Sequence, residues 1–270
     1  MLALLTNDDG IGAHGLHEMR RALGEVDGVE VRVIAPDTNR SGTARSITTR
    51  SPLWVEEIRF DDGGIGFATD GTPVDCVRFA DLGLLERRPD VIVSGINHGS
   101  NLGDDVTYSG TVAAALEGIV LGIPAVAISQ QSEAQDMGFR GRAFDFTYSA
   151  TLGREIVRAL AERPLPEGTL LNVNCPAGEP AGIELTRLGK RLYDDELKLV
   201  EEADGRRRYE IYGFEPSFED EPGTDLAAVA RGRVSLTPVH FDLTDLQGIE
   251  RLGSWDLDAL ARSIDPARAG

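Results

Sequence analysis

Two adjacent carboxylates, Asp8 and Asp9, follow directly on the apolar run Leu2–Leu5 in the stretch Thr6-Asn7-Asp8-Asp9-Gly10-Ile11-Gly12. A short apolar run that stops at polar residues reads as a buried strand, so the pair is expected at a strand tip, in a partly desolvated cleft. Like charges so placed repel each other, and a cation or a shared proton neutralises them most readily. The plainer alternative is a solvated turn in which Asp9 caps the following helix. Further on, Ser94-Gly-Ile-Asn97-His98-Gly-Ser-Asn101-Leu-Gly-Asp104-Asp-Val-Thr-Tyr108-Ser109-Gly110-Thr111 puts Asn97 where another strand ends. An amide oxygen there is a neutral, hard ligand for a divalent cation. Ser109-Gly110-Thr111 opens an Ala-rich helix whose free N–H groups and positive dipole end suit a phosphate, with Gly110 allowing an anion close to the backbone. Ser109 reads equally as an N-cap, although capping leaves the long Asn/Gly/Asp loop before it without a purpose.

The remaining polar residues are less specific. Of four histidines, His98 is a candidate general acid or a residue behind the site. His240, in Thr237-Pro-Val-His240-Phe-Asp242, carries only that local pattern, and His14 and His17 flank the first helix. The loop Pro36-Asp-Thr-Asn-Arg-Ser41-Gly-Thr-Ala-Arg45-Ser-Ile-Thr is an adaptable site loop or an ordinary turn. Cys76 and Cys175 read as reduced core thiols, and zinc-type Cys/His spacing is missing.

These residues need a scaffold, and the chain alternates strand-like and helix-like segments. Helices are expected from about Gly15 to Leu23, over Thr111–Leu121, from about Phe144 to Leu160 and over Leu257–Ile264. Strands are expected at 29–35, 90–94, 125–129, 169–174 and 234–238, with a hairpin inside Thr49–Phe67 and a Thr72-capped helix opening at Pro73. This rhythm implies an α/β fold with a Rossmann-like, doubly wound, mainly parallel sheet and ligands beyond the carboxyl ends of the strands. From Asp194 to Asp225 twelve acidic residues face four basic ones, and Tyr209-Glu-Ile-Tyr-Gly-Phe reads as a strand. The expected organisation is a catalytic domain at 1–188, an acidic C-terminal β-hairpin extension and oligomerisation arm at 189–234, and a strand and helix at 235–270 returning to the core or to a partner subunit.

With 270 residues, 41% of them hydrophobic, a large core can be buried. A formal charge of -18 argues against a nucleic-acid polymer or an anionic membrane as partner, so an anionic substrate needs a local positive centre such as a cation. Apolar stretches too short for a signal segment or a bilayer span point to a soluble, reducing, cytoplasmic setting.

Taken together, the loops resemble those of the SurE (survival protein E) nucleotidases. The matching stretches are Thr6-Asn-Asp-Asp-Gly-Ile, Ala35-Pro-Asp, Arg40-Ser41-Gly with Ser46-Ile-Thr, Gly71-Thr-Pro-Val-Asp-Cys-Val, Ser94-Gly-Ile-Asn97-His-Gly, Tyr108-Ser-Gly-Thr-Val-Ala-Ala-Ala, Leu171-Asn-Val-Asn-Cys-Pro and Thr237-Pro-Val-His. The resemblance implies metal-dependent hydrolysis of nucleoside 5′- and 3′-monophosphates, with short polyphosphate as a further substrate. It implies a homodimer or homotetramer that exchanges an extended arm. Its metal ligands fall on Asp8, Asp9, Ser41 and Asn97, and its phosphate contacts on Asn97, Ser109, Gly110 and Thr111. Arg45 departs from the pattern, which more often has a His before Ser-Ile-Thr, although an Arg can also reach a phosphate. Two carboxylates, a hydroxyl and an amide suit one Mg²⁺ or Mn²⁺ per subunit and suit zinc poorly. Such a cation would activate a water for attack on phosphorus, with Asp8 or Asp9 as base or transient nucleophile. Two other readings are a non-hydrolytic nucleotide-binding stress regulator and a metal-dependent nucleotide-sugar transferase. Walker A and Gly-x-Gly-x-x-Gly signatures are missing.

Overall fold

The computed structural model describes residues 1–132, 144–193, 196–211 and 217–264. In chain order the elements are β1 (Leu2–Thr6), α1 (His14–Gly24), β2 (Glu30–Pro36), β3 (Val55–Arg59), β4 (Ile65–Thr69), α2 (Pro73–Asp81) and β5 (Val91–His98). A 3-10 turn (Gly103–Thr107) leads into α3 (Gly110–Val120), followed by β6 (Ala125–Gln130), α4 (Thr147–Glu162), β7 (Thr169–Cys175), β8 (Ile183–Leu185) and β9 (Arg191–Leu192). Then come β10 (Lys198–Ala203), β11 (Arg206–Glu210), β12 (Ser217–Phe218), α5 (Asp225–Ala230), β13 (Val234–His240), α6 (Leu246–Leu252) and α7 (Leu257–Ile264).

Among the described residues the main sheet has nine strands in the order β3-β4-β2-β1-β5-β6-β7-β13-β8. The run from β4 to β7 is parallel, while β3 and β13 join antiparallel to β4 and β7. From β1 the chain passes to β2 on one side and later returns to β5 on the other. The order therefore reverses between β1 and β5, and this is where a doubly wound sheet opens a ligand crevice.

Period-two alternation along β1 explains how both faces are covered. Ala3 and Leu5 join a core built with Leu16, Met19 and Leu23 of α1 and with Ala150 and Val157 of α4. Leu2 and Leu4 join the opposite core with Cys76 and Val77 of α2 and Val112 and Ala115 of α3. Each fully buried leucine contributes about 1.5–3 kcal/mol, so the strand carrying the acidic loop is anchored from both sides. Thr72 caps α2 in a full capping box with Asp75, and Pro73 opens the helix.

The short β8, β9, β12 and α6 were not expected, and three further elements differ from the sequence reading. β5 runs past Ser94 to His98 through a register shift, which sets Asn97 opposite Ser129. Gly95 makes this possible: its φ is +132° and a Cβ there would lie 2.3 Å from the Ile128 carbonyl oxygen. The strand expected at 209–214 is instead β11, paired with β10 as a hairpin, while 212–216 lie outside the described residues. The third is α5, a helix of six residues held by a Thr224 cap, which the alternation along the chain did not indicate.

The chain divides into a large unit, Met1–His240, and a small one, Phe241–Gly270. In the small unit α6 and α7 bury none of their own residues, and Leu246, Ile249, Leu252, Leu257, Leu260 and Ile264 are exposed. Among the described residues no helix is long and apolar enough to cross a membrane.

Candidate active site

The loop after β1 turns on Asn7, whose side chain donates to the Gly10 carbonyl at 2.9 Å and accepts from the Gly10 N–H at 3.2 Å. The turn leaves Asp8 buried, with 3% of its surface exposed, and Asp9 beside it half-buried. Asp8 accepts a hydrogen bond at 2.5 Å from the Thr111 hydroxyl in the first turn of α3. Asp9 accepts from the His98 backbone N–H at 3.0 Å and from the Asn39 amide at 3.1 Å. It does not cap α1, whose N-cap is Ala13 without a side-chain bond. The solvated-cap alternative is therefore not the one realised.

The two carboxyls share an electrostatic problem. Burial pushes the Asp8 carboxyl above its ordinary value, opposed by the Thr111 hydroxyl and by the Thr111 and Gly110 backbone N–H groups. Asp9 is pushed up from 3.8 to about 7, first by burial and then by the Asp8 charge. A positive charge between them would relieve both effects.

The other sequence-derived residues converge on this pair to different degrees. The Arg40 backbone N–H donates to the Asp8 carbonyl at 2.6 Å, and the Ser41 N–H donates to Asn39 Oδ1 at 2.9 Å. Ser41 thus directly follows two residues anchored on Asp8 and Asp9, and it is exposed. Asn97 adjoins the residue whose N–H holds Asp9. Its Nδ2 donates to the Gly99 carbonyl at 2.8 Å, which turns Oδ1 away from Gly99. Ser109 Oγ accepts from the Val112 N–H at 3.1 Å, so the N-cap reading is realised. A Cβ on Gly110 would come within 2.7 Å of Asp8 Cβ and 2.8 Å of its Oδ2. The anion that glycine admits to the start of α3 is therefore the Asp8 carboxylate itself. Thr111 is fully buried, and its hydroxyl serves Asp8.

The imidazoles are placed elsewhere. His98 touches Asp9 through its main chain, while its ring lies 4.2 Å from that of Phe144. His240 pairs with Thr169, at the opposite end of β7 from Asn174 and Cys175. His14 packs on Phe146 and His17 on Phe60. Arg45 turns toward buried Glu117, 2.6 Å away, which Arg78 flanks on its other side. Both cysteines are free and buried.

Sequence reasoning passed over Asn39, which holds Asp9, and the pair Asn172 and Asn174. Two amides alternating along an otherwise apolar buried strand were the available signal for that pair. Among the described residues no group of three or more His, Cys, Asp or Glu side chains is placed to hold a metal. A site here would draw on the two carboxylates plus neutral oxygens.

Paired carboxylates at the switch point of a Rossmann-like sheet, one of them bonded to the first turn of a helix, mark the ligand crevice of a doubly wound α/β protein. Residues 3–195 match the family described as Survival protein SurE. The chain is 52% identical over 266 residues to "5'-nucleotidase SurE" of Rubrobacter xylanophilus, covering 96% of this chain and 99% of that one. It is 47% identical to "5'-nucleotidase SurE" of Pelotomaculum thermopropionicum, covering 93% and 94%. Its fold matches the crystal structure of the SurE protein from Aquifex aeolicus with a TM-score of 0.75 at 38% identity, covering 94% of this chain and all of that one. The chain belongs to the SurE family.

Proposed function

We propose that this protein is a divalent-metal-dependent phosphatase acting on nucleoside monophosphates, 5′ esters first and 3′ esters and short polyphosphate in addition. The name shared by its relatives supports the 5′-nucleotidase reading. The observation that carries the metal reading is the pair Asp8 and Asp9, held side by side although burial raises both and the Asp8 charge raises Asp9 further. An all-oxygen set of Asp8, Asp9, Ser41 and Asn97 fits Mg²⁺ or Mn²⁺, one per subunit.

When bound, such a cation supplies Lewis acidity toward a phosphoryl oxygen and lowers the pKa of water. The chain's own residues do the rest. Thr111 and the first N–H groups of α3 fix the Asp8 carboxylate in one orientation. Asp9 is held by Asn39 and by the His98 N–H, which leaves it the more exposed carboxylate of the pair and the one placed to accept a proton from an attacking water. In this reading Asn97, Ser109 and Gly110 would contact the phosphate, and the positive dipole end of α3, which already holds Asp8, would also favour the substrate's negative charge. The exposed apolar residues of α6 and α7 support self-association as a homodimer or homotetramer.

Phosphate release from 5′-AMP and 3′-AMP with Mn²⁺, Mg²⁺ or EDTA tests the reading, alongside Asp8→Asn and Asp9→Asn. Release that requires the metal and falls at least ~100-fold in both variants is expected. Metal-dependent nucleotide binding without release would favour the regulator instead.

A further inference from the structure

The motif Leu171-Asn-Val-Asn-Cys-Pro closes β7, three strands from β1 and the Asp9 at its tip, and has no part in the chemistry above. Its two amides meet a single residue of the loop after β5. Asn174 grips the peptide of Asn101 on both sides: the Asn101 N–H donates to Asn174 Oδ1 at 2.8 Å, and Asn174 Nδ2 donates to the Asn101 carbonyl at 3.0 Å. This two-way grip fixes which amide atom is oxygen. Asn172 Nδ2 donates to the same carbonyl at 2.9 Å, and Asn101 Nδ2 donates to Ser129 Oγ at 2.8 Å. Asn172, Asn174 and Ser129 are fully buried and Asn101 nearly so. Buried polar groups are costly unless satisfied, so four such bonds hold one conformation of the loop.

That loop orients Asn97. Two residues before Asn101, the Gly99 carbonyl accepts from Asn97 Nδ2 at 2.8 Å, and the Gly99 N–H is tied to the Gln130 carbonyl at 2.8 Å. Strand register places Asn97, Ser129 and Asn174 in one row across β5, β6 and β7. We infer that Asn174 and Asn172 are positioning residues for the candidate metal site: they clamp Asn101, which sets the Gly99 carbonyl and through it the direction of Asn97 Oδ1. The inference rests on the reading of Asn97 as a metal ligand.

Asn174→Asp keeps the size of the side chain but replaces the donor facing the Asn101 carbonyl with an oxygen. Val173→Ala is the control, since Val173 is buried between the two asparagines on the opposite face of the strand. The readouts are Mn²⁺ affinity of the full chain by titration, the kcat and KM for 5′-AMP, and hydrogen exchange at Gly99 and Asn101. Asn174→Asp is expected to weaken Mn²⁺ binding by about tenfold or more, the range typical when a partner behind a metal ligand is lost. It should lower kcat at saturating Mn²⁺ and speed exchange at Asn101. Val173→Ala should lower the melting temperature and leave Mn²⁺ affinity unchanged. Folded Asn174→Asp with wild-type Mn²⁺ affinity would overturn the inference alone. Wild-type protein that binds no Mn²⁺ would overturn the metal reading and the inference with it.

Discussion

The Asp8 carboxylate and the Thr111 hydroxyl, 103 residues apart in sequence, meet at 2.5 Å between the tip of β1 and the first turn of α3. This contact joins the acidic loop to the helix N-terminus and leaves Asp9 as the more exposed member of the pair. It accounts for why burial alone does not set the protonation of Asp8. The donors at the start of α3 work against it.

Thr111→Val keeps the shape of the side chain and removes the donor. A buried carboxylate that loses one hydrogen bond costs about 1–3 kcal/mol. The expected result is a lower melting temperature together with a lower kcat, measured by thermal unfolding and phosphate release. Stability at the wild-type level would show that the contact is unimportant to Asp8.

Gly110→Ala introduces a methyl where Asp8 already sits, 2.7 Å from its Cβ. Alanine suits the first turn of a helix, so helix propensity opposes no part of the change. The expected outcome is a folded protein whose Asp8 is displaced and whose turnover falls at least ~10-fold, as happens when a catalytic group shifts by about 1 Å. Circular dichroism and phosphate release check it, and unchanged turnover would contradict it.

Asp9 gives a pH dependence with a definite sign. Its folded pKa, about 7, lies above its ordinary value of 3.8. The protonated form therefore favours folding, and this contribution is present below about pH 4 and lost as the pH rises through about 7. In EDTA, the melting temperature of Asp9→Asn minus that of wild type should grow between pH 4 and pH 7 and then level off. Adding Mn²⁺ above pH 7 should restore wild type and do little for the variant. A difference independent of pH would contradict the raised pKa.

What could be read from the residues alone was local. Leu2–Leu5 followed by Asn7-Asp8-Asp9-Gly10 announces a buried strand and a sharp polar turn within nine positions, and the structure has both. The doubly wound alternation held for the same reason, since each element carries its own periodicity. Gly95 looked like the end of a strand, because its role depends on the Ile128 carbonyl across the sheet. The alternation of Asn172 and Asn174 marks them as a buried polar pair, but their partner Asn101 lies about seventy residues away and is not indicated by it. The end point of Arg45 on Glu117, a helix residue 72 positions away, was equally illegible from its loop. Short elements such as β8 and α5 were missed because three to six residues are too few for a pattern.

The central claim is that Asp8, Asp9, Ser41 and Asn97 hold one divalent cation. Crystals of the full chain soaked in Mn²⁺ test it through the anomalous difference map. One peak within coordination distance of both carboxylates, Ser41 Oγ and Asn97 Oδ1 is the predicted result. A fully occupied Mn²⁺ elsewhere in the chain, with none between Asp8 and Asp9, would contradict it.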